Sequence, residues 1–436
     1  MKLIFDVSDK PKAGQLVVFA LQQMLAILAA TIAVPLIIGK GLTPAAAMFG
    51  AGVGTIVYIL FTKRKSPVFL GSSFAFLGSM AAAFAGGVSM QLGMLGLIVG
   101  AFLAGLVYVV IAIVVKFVGV GWLNKLMPAV VIGPTVAIIG LSLAGNAIGD
   151  LVKGDVTKQV TEYAVSTDSG TPEIIETVSN VPVGSSYVAL ICGLITLAVV
   201  MLCSTYGKKT LRLIPFIIGI LAGYAAAAIF TVIGNICDID ALKIVDFSVF
   251  SSYMLTDGSV SLKTFVSLPD FAFVSGLKGL KEFDFTYFAT IFVAYVPVAL
   301  VVFAEHVADH KNLSSIIDHD LLEEPGLTRT LLGDGVGSIA GALFGGCPNT
   351  TYGESVACVA ITGNASVVTI FAAAIGCMLF SFITPLVAFV DSIPACVMGG
   401  VCIALYGFIA VSGLKMIQDA NLDDNRNLFV VSVILI

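Results

Sequence analysis

Long apolar runs recur along the whole chain, and most are close to the length that crosses a bilayer. They fall at about 15–38, 43–61, 92–115, 127–149, 185–203, 212–235, 285–306, 330–346, 364–389, 394–414 and 427–436. A spanning helix needs roughly 20 mostly apolar residues. Two further segments, near 68–86 and 347–362, are shorter and interrupted by Gly, Pro, Ser and Thr, and read as broken spans. In lipid every backbone N–H and C=O must find a partner within the protein. The runs are too long for barrel strands of about ten residues, so they read as helices. Only 11% of residues are charged, against about 25% in a soluble domain, too few to cover a water-facing surface. The expectation is an all-α polytopic membrane protein whose surrounding partner is the lipid bilayer, with no nucleic-acid partner.

Met1 to Ala13 carries Lys2, Asp6, Asp9, Lys10 and Lys12, and no short apolar stretch with a small-residue cleavage site follows, so no signal peptide is read there. The last run is still apolar at Ile436, which predicts that the natural protein continues and that a further helix is cut off. Lys63, Arg64 and Lys65 after the second span, and Lys208, Lys209 and Arg212 after the sixth, fall on one face if 68–86 counts as a span. By the positive-inside rule that face is cytoplasmic, with the N-terminus. Residues 150–184, with Asp150, Asp155, Glu162, Asp168, Glu173 and Glu176, then lie outside. The acidic segment 307–329 fits its cytoplasmic side imperfectly. The eight cysteines lack pairing or ligand spacing and read as packing residues.

The two broken segments occupy matching places. One reads Pro67-Val68-Phe69-Leu70-Gly71-Ser72-Ser73-Phe74-Ala75-Phe76; the other reads Gly345-Gly346-Cys347-Pro348-Asn349-Thr350-Thr351-Tyr352-Gly353-Glu354-Ser355. Each is a short β-prone stretch leading into a short helix, the third element of its half. Halves of seven spans, an odd number, are inverted relative to each other, and paired interrupted segments in such halves point to a transporter's binding site. The plain alternative is two Gly-rich loops that happen to match.

Ionisable groups inside apolar spans are costly, by at least about 2.5–3.5 kcal/mol at the centre. Glu305 ends the uncharged run Phe285–Ala304, Asp309 follows four residues on, and Glu354 comes just after Gly353. These are the candidate functional carboxylates. The competing reading for Glu305 and Asp309 is a helix that has reached water beside His306, His310 and Lys311. For Glu354 it is an acidic residue satisfying a helix start. His306 and His310 have the spacing of a helical zinc pair, but Val307 stands where that motif needs Glu, and no metal is expected. Helix starts near Phe74 and Gly353 offer free N–H donors. With carboxylates opposite, they suit a planar molecule bearing ring N–H and C=O groups. Phe74, Phe76 or Tyr352 could stack on it or simply pack.

The stretches Gly71-Ser72-Ser73-Phe74-Ala75-Phe76, Ala304-Glu305-His306-Val307 and Pro348-Asn349-Thr350-Thr351-Tyr352-Gly353-Glu354 closely resemble the nucleobase–ascorbate transporter family, in its bacterial uracil permease branch. The likeness runs from Leu21-Gln22 to the last residues, except 150–184. It implies 14 helices in two inverted seven-helix repeats, and a homodimer. A core domain (15–123 and 283–390) and a gate domain (124–235 and 391–436) are implied, joined by an extracellular connection, 236–282. It implies that Glu305 and Glu354 hydrogen-bond uracil, that the amides of Phe74 and Gly353 contact its carbonyls, and that Tyr352 and Tyr406 line the site. Two positions depart from the family. Asp309 stands where a histidine linked to proton coupling is expected, and Gln22-Gln23 stands where a Gln-His pair is expected.

The function expected is proton-coupled uptake of uracil or a related pyrimidine by alternating access, in the cell membrane. The coupling sites are Glu305 or Asp309, and no cofactor is expected beyond the co-transported proton. Rivals are a purine or xanthine symporter of the same family, a sulfate- or bicarbonate-type anion transporter of the same architecture, and an intramembrane metal-dependent enzyme.

Overall fold

The computed structural model describes residues 3–119, 121–122, 128–166, 173–208, 211, 214–254, 259–418 and 421–435. Lys2, Asp168, Lys209, Arg212 and Ile436, used above, lie outside the described residues.

The first half runs α1 (Ala13–Ile38), α2 (Pro44–Phe61), β1 (Leu70–Ser72), a single 3-10 turn (Phe74–Phe76), α3 (Leu77–Ala83), α4 (Met90–Val118) and α5 (Ala129–Asp150). After β2 (Thr157–Ser166) and β3 (Glu173–Pro182) come α6 (Ser186–Tyr206) and α7 (Pro215–Cys237). Short helices α8 (Ser248–Met254) and α9 (Ala272–Gly276) lead to the second half. That half holds α10 (Phe285–Ile317), α11 (Leu327–Gly345), β4 (Asn349–Thr351), α12 (Gly353–Thr362), α13 (Val367–Phe380), α14 (Thr384–Asp391), α15 (Ala395–Gln418) and α16 (Asn425–Leu435).

Among the described residues eight helices are long and apolar enough to span: α1, α2, α4, α5, α6, α7, α10 and α15. Two of the starts show local capping. Asp284 Oδ1 accepts the N–H of Tyr287 at 2.7 Å to open α10, and Ser89 Oγ accepts that of Leu92 at 3.1 Å to open α4. The protein is nearly all helical, as expected, with three differences. The run 364–389 is two helices, because Ser381–Ile383 breaks it before Pro385. Within 150–184, β2 and β3 pair as an antiparallel hairpin from Thr157↔Pro182 to Ser166↔Glu173. Third, α10 continues eleven residues past His306 to Ile317, well beyond the run that ended at 306.

The packing sorts into two groups. In one, α2 lies against α11 and α13, α4 against α11 and α10, and α1 against α13. In the other, α15 lies against α5 and α6, α6 against α7, and α16 against α5. In the first group α2 and α11 approach closely. A Cβ on Gly50 would stand 2.4 Å from the Gly341 carbonyl, and one on Gly337 2.7 Å from that of Gly54. In lipid, where apolar burial between helices gives little drive, such small-residue contacts let dispersion and backbone dipoles hold helices together. This seam holds the two broken segments side by side.

Candidate functional site

The broken segments cross. β1 and β4 pair antiparallel, Leu70 opposite Thr351, Gly71 opposite Thr350 and Ser72 opposite Asn349. The Ser73 N–H extends the ladder to the Pro348 carbonyl at 2.9 Å, and the Tyr352 N–H to that of Phe69 at 3.2 Å. All six strand residues are buried, so in a medium without water each segment satisfies the backbone of the other. Asn349 anchors the crossing to the helix seam. Its Nδ2 donates to the Gly50 carbonyl at 3.2 Å, and its N–H donates to Ser338 Oγ at 3.0 Å.

Each strand runs straight into a helix start, the 3-10 turn at Phe74 and α12 at Gly353. Glu354 lies in the first turn of α12. Gly353 itself is exposed, and a Cβ built on it would meet only Asp309 Oδ1, at 4.0 Å. Open room therefore lies beside this helix start, on the side facing Asp309. Ser355 braces the same turn, accepting the Phe69 N–H at 3.0 Å and bonding the side chain of Gln23 on α1.

The three candidate carboxylates converge here. Glu305 and Asp309, both half-buried, sit one turn apart on α10, which packs against β4 and α12. Thr351 Oγ1 donates to Asp309 Oδ2 at 2.8 Å. Glu305 is within electrostatic reach of Asp309, Glu354 and Asp334. The face of α10 opposite Glu305 is packed inside the protein. His306 and His310, its neighbours, are both 0% exposed, and the helix runs on past them.

The histidines face away from Glu305, into α11 and α2. His306 Nδ1 is 2.7 Å from Asp334 Oδ2, and its Nε2 is 3.1 Å from Thr330 Oγ1. His310 Nδ1 donates to the His306 carbonyl at 2.7 Å. A carbonyl only accepts, so in neutral His310 the bare Nε2 is left to accept from the Tyr58 hydroxyl at 2.6 Å. Tyr58 also bonds Ser66 at 2.7 Å. Hydrogen bonds to α11, to α2 and to the His306 carbonyl on α10 thus occupy both imidazoles.

The aromatic candidates separate. Phe76 stacks on Tyr295, 5.6 Å between centroids and 22° between planes, and belongs to the core. Tyr352 is a brace. It is 4% exposed, its hydroxyl donates to the Ser72 carbonyl at 2.8 Å, and its ring lies over Gly71. Phe74 meets Tyr406 of α15 edge to face, 5.5 Å between centroids. Phe74 also lines a cleft of about 710 Å³ between α1, α3 and α5, with Lys40, Gly78, Ser142, Asn146 and Lys153. The Phe74–Tyr406 pair therefore joins the two helix groups at the edge of this cleft. At the N-terminal end of α15, the Ala395 N–H donates to Asp155 Oδ1 at 3.1 Å. Burial, helped by Asp246 and Asp150 nearby, pushes the Asp155 carboxyl up to about 6.

Sequence reasoning singled out Gln22-Gln23 as a departure from the family but missed Asp334 and Ser355. Asp334 had a visible signal, as an acid inside the run 330–346. Ser355 had none, because a serine is not unusual in a membrane helix.

Comparison with known proteins adds a second line of evidence. Residues 14–436 match the family model described as the Permease family. The uracil permease of Bacillus caldolyticus is 36% identical over 439 residues, covering 100% of this chain and 87% of that protein. That of Bacillus subtilis (strain 168) is 35% identical, covering 100% and 88%. The uracil permease of Escherichia coli (strain K12) is 33% identical, covering 99% and 86%. Among solved structures, the transmembrane domain of the cyanobacterial bicarbonate transporter BicA superposes with a TM-score of 0.63 at 13% identity, covering 99% of this chain and 97% of that one. SLC26A9 gives 0.60, also at 13%, covering 98% and 62%. At that identity the likeness concerns the fold alone.

Proposed function

The chain belongs to the permease family and is a multi-pass membrane transporter, not an enzyme, and from that premise we propose that it takes up uracil or a close pyrimidine relative together with a proton. The observation that carries this reading is the β1–β4 crossing. It joins the strands that lead into the two helix starts, and the start of α12 carries Glu354 and lies near Asp309 on the helix that also bears Glu305. Uracil is flat, with two ring N–H donors and two carbonyl acceptors. The carboxylates of Glu305 and Glu354 accept its N–H groups, and the amides of Gly353 and Phe74 donate to its carbonyls. Tyr352 holds the crossing in shape, and Phe74 with Tyr406 closes one edge.

The transport cycle is alternating access by a core domain (15–123 and 283–390) against a gate domain (124–235 and 391–436), with 236–282 as an outer connection. The two packing groups support this division. The matching order of α1–α7 and α10–α16, each with a strand and short helix in third place, supports an inverted repeat. The coupled proton neutralises Glu305 or Asp309, which removes a charge that would oppose movement of the loaded core past apolar surface. The N-terminus lies on the cytoplasmic side, and two copies pair in the cell membrane. An anion cargo is disfavoured, because carboxylates face the very helix starts that would hold it.

The test is radiolabelled uracil binding to purified protein at two pH values, with unlabelled xanthine, thymine and sulfate as competitors. Uracil binding, unmoved by sulfate and lost in Glu305→Ala, is expected. Displacement by sulfate, or wild-type uptake in Glu305→Ala, overturns the reading.

A further inference from the structure

Residues Leu3–Asp9 run along the far end of α12, bridging it at Phe5 and turning at Val7–Ser8, where the Asp9 N–H donates to the Asp6 carbonyl at 3.1 Å. The N–H groups of Ile4 and Phe5 donate to the Gly363 carbonyl at 2.7 and 3.2 Å. In return the Ala365 N–H donates to the Phe5 carbonyl at 2.9 Å, and the Val367 N–H donates to that of Val7 at 3.1 Å. Ser366 Oγ donates to the Asp9 carbonyl at 2.6 Å. Phe5 and Asn364 form a parallel bridge. Leu3, Phe5 and Val7 are half-buried, with Leu3 and Val7 packed on the core, while Ile4 and Asp6 are exposed. Phe5 also meets Phe19 of α1 edge to face at 5.8 Å.

What this segment grips is the turn that ends α12. Gly363 closes that helix with φ +66°, a conformation suited to glycine, and a Cβ there would touch Ile4 at 3.4 Å. α12 has ten residues and so is about 15 Å long. At its start stand Gly353 and Glu354, braced by Ser355. At its end stands the turn held by residues 4–9. A helix this short behaves as a rod, so the position of one end is passed to the other.

We propose that Leu3–Asp9 is a positioning strap: by fixing the far end of α12 it holds Gly353 and Glu354 in place for the nucleobase, an inference that rests on the binding role given above. The strap acts through α12 and touches no substrate. Loosening it lowers the fraction of molecules with the half-helix in place, and apparent affinity falls by that fraction.

Two variants of the full chain test this. Phe5→Pro removes one strap N–H, and Ser366→Ala removes the hydroxyl that holds Asp9. Hydrogen–deuterium exchange of the 353–362 amides and uracil binding are measured on purified wild-type and variant proteins. Faster exchange across α12 is expected in both variants, with a uracil Kd raised roughly three- to tenfold, the weight of one hydrogen bond. Exchange at the wild-type rate in both overturns the strap, and faster exchange with unchanged Kd overturns its positioning role. If the wild-type protein binds no uracil, the nucleobase reading fails, while the exchange measurement still decides the strap. If Phe5→Pro fails to fold, Ser366→Ala carries the test.

Discussion

Replacing Gly71 by alanine tests whether the crossing is built around Tyr352. A Cβ at Gly71 would stand 2.3 Å from Tyr352 Cε2, 2.4 Å from Cζ and 2.8 Å from the hydroxyl oxygen. Ordinary carbon contacts begin near 3.5 Å, so the ring must retreat by roughly 1 Å. It cannot do so freely, because its hydroxyl is bonded to Ser72 at 2.8 Å and its own N–H to Phe69 at 3.2 Å. Overpacking of this kind costs about 1–3 kcal/mol, and the lost Ser72 bond adds about 1 kcal/mol. A destabilisation of about 2–4 kcal/mol follows. Since Gly353 is the next residue after Tyr352, the helix start moves too, and uracil affinity falls at least about tenfold, the weight of about 1.4 kcal/mol. Thermal unfolding in detergent and uracil binding read the two effects. Gly78→Ala is the control, because nothing lies within 4 Å of a Cβ there, and it behaves as wild type. Adding Tyr352→Phe to Gly71→Ala releases the hydroxyl tether, so the two changes are less than additive. Wild-type stability and affinity in Gly71→Ala would refute the reasoning.

Three further outcomes are expected. Asp155 titrates at about 6 against 3.8 for an ordinary aspartate, so the folded protein holds this proton more tightly than the unfolded chain does. The resulting stability, up to about 3 kcal/mol, is complete below pH 4 and lost as pH rises through 6. Asp155→Asn keeps an acceptor for Ala395 and flattens that slope, as melting temperature from pH 4 to 7 will read. Asp309→Asn keeps an acceptor for Thr351 but cannot release a proton; uracil still binds and uptake loses its pH dependence, whereas pH-dependent uptake in this variant assigns coupling elsewhere. Asn349→Ala removes the side-chain bond from the crossing to α2 and leaves a small void, lowering stability by about 2–3 kcal/mol in thermal unfolding.

How much of this was readable from the chain differs by feature. The spans were legible because lipid imposes one length and one secondary structure, and the observed helix ends differ from the apolar runs mostly by a few residues. α10 was the exception. Hydropathy ends where charge begins, yet His306 and His310 continue the helix while buried, each ring nitrogen satisfied by α11, α2 or the His306 carbonyl. The two broken segments were legible as a matched pair, and their meeting followed from that pairing. The sequence did not carry what each aromatic does. Phe76, Tyr352 and Phe74 look alike in a string of letters, but one packs in the core, one braces a strand and one bridges the two helix groups. The hairpin of residues 157–182 stayed hidden because its alternation lies in a stretch read only for its charge. Pairing of Phe5 with Asn364 was invisible for the reason that governs all non-local strands, since no local pattern names a partner more than three hundred residues away.

Ser72 and Tyr352 are 280 positions apart, and that separation has a consequence for how the protein comes into being. A nascent chain that has delivered its first broken segment holds a strand with no mate, and its exposed amides and carbonyls must wait in the membrane until most of the remaining chain has been inserted. The β1–β4 crossing is therefore a late product of assembly, absent from either half made alone, and separately synthesised halves regain it only by finding each other.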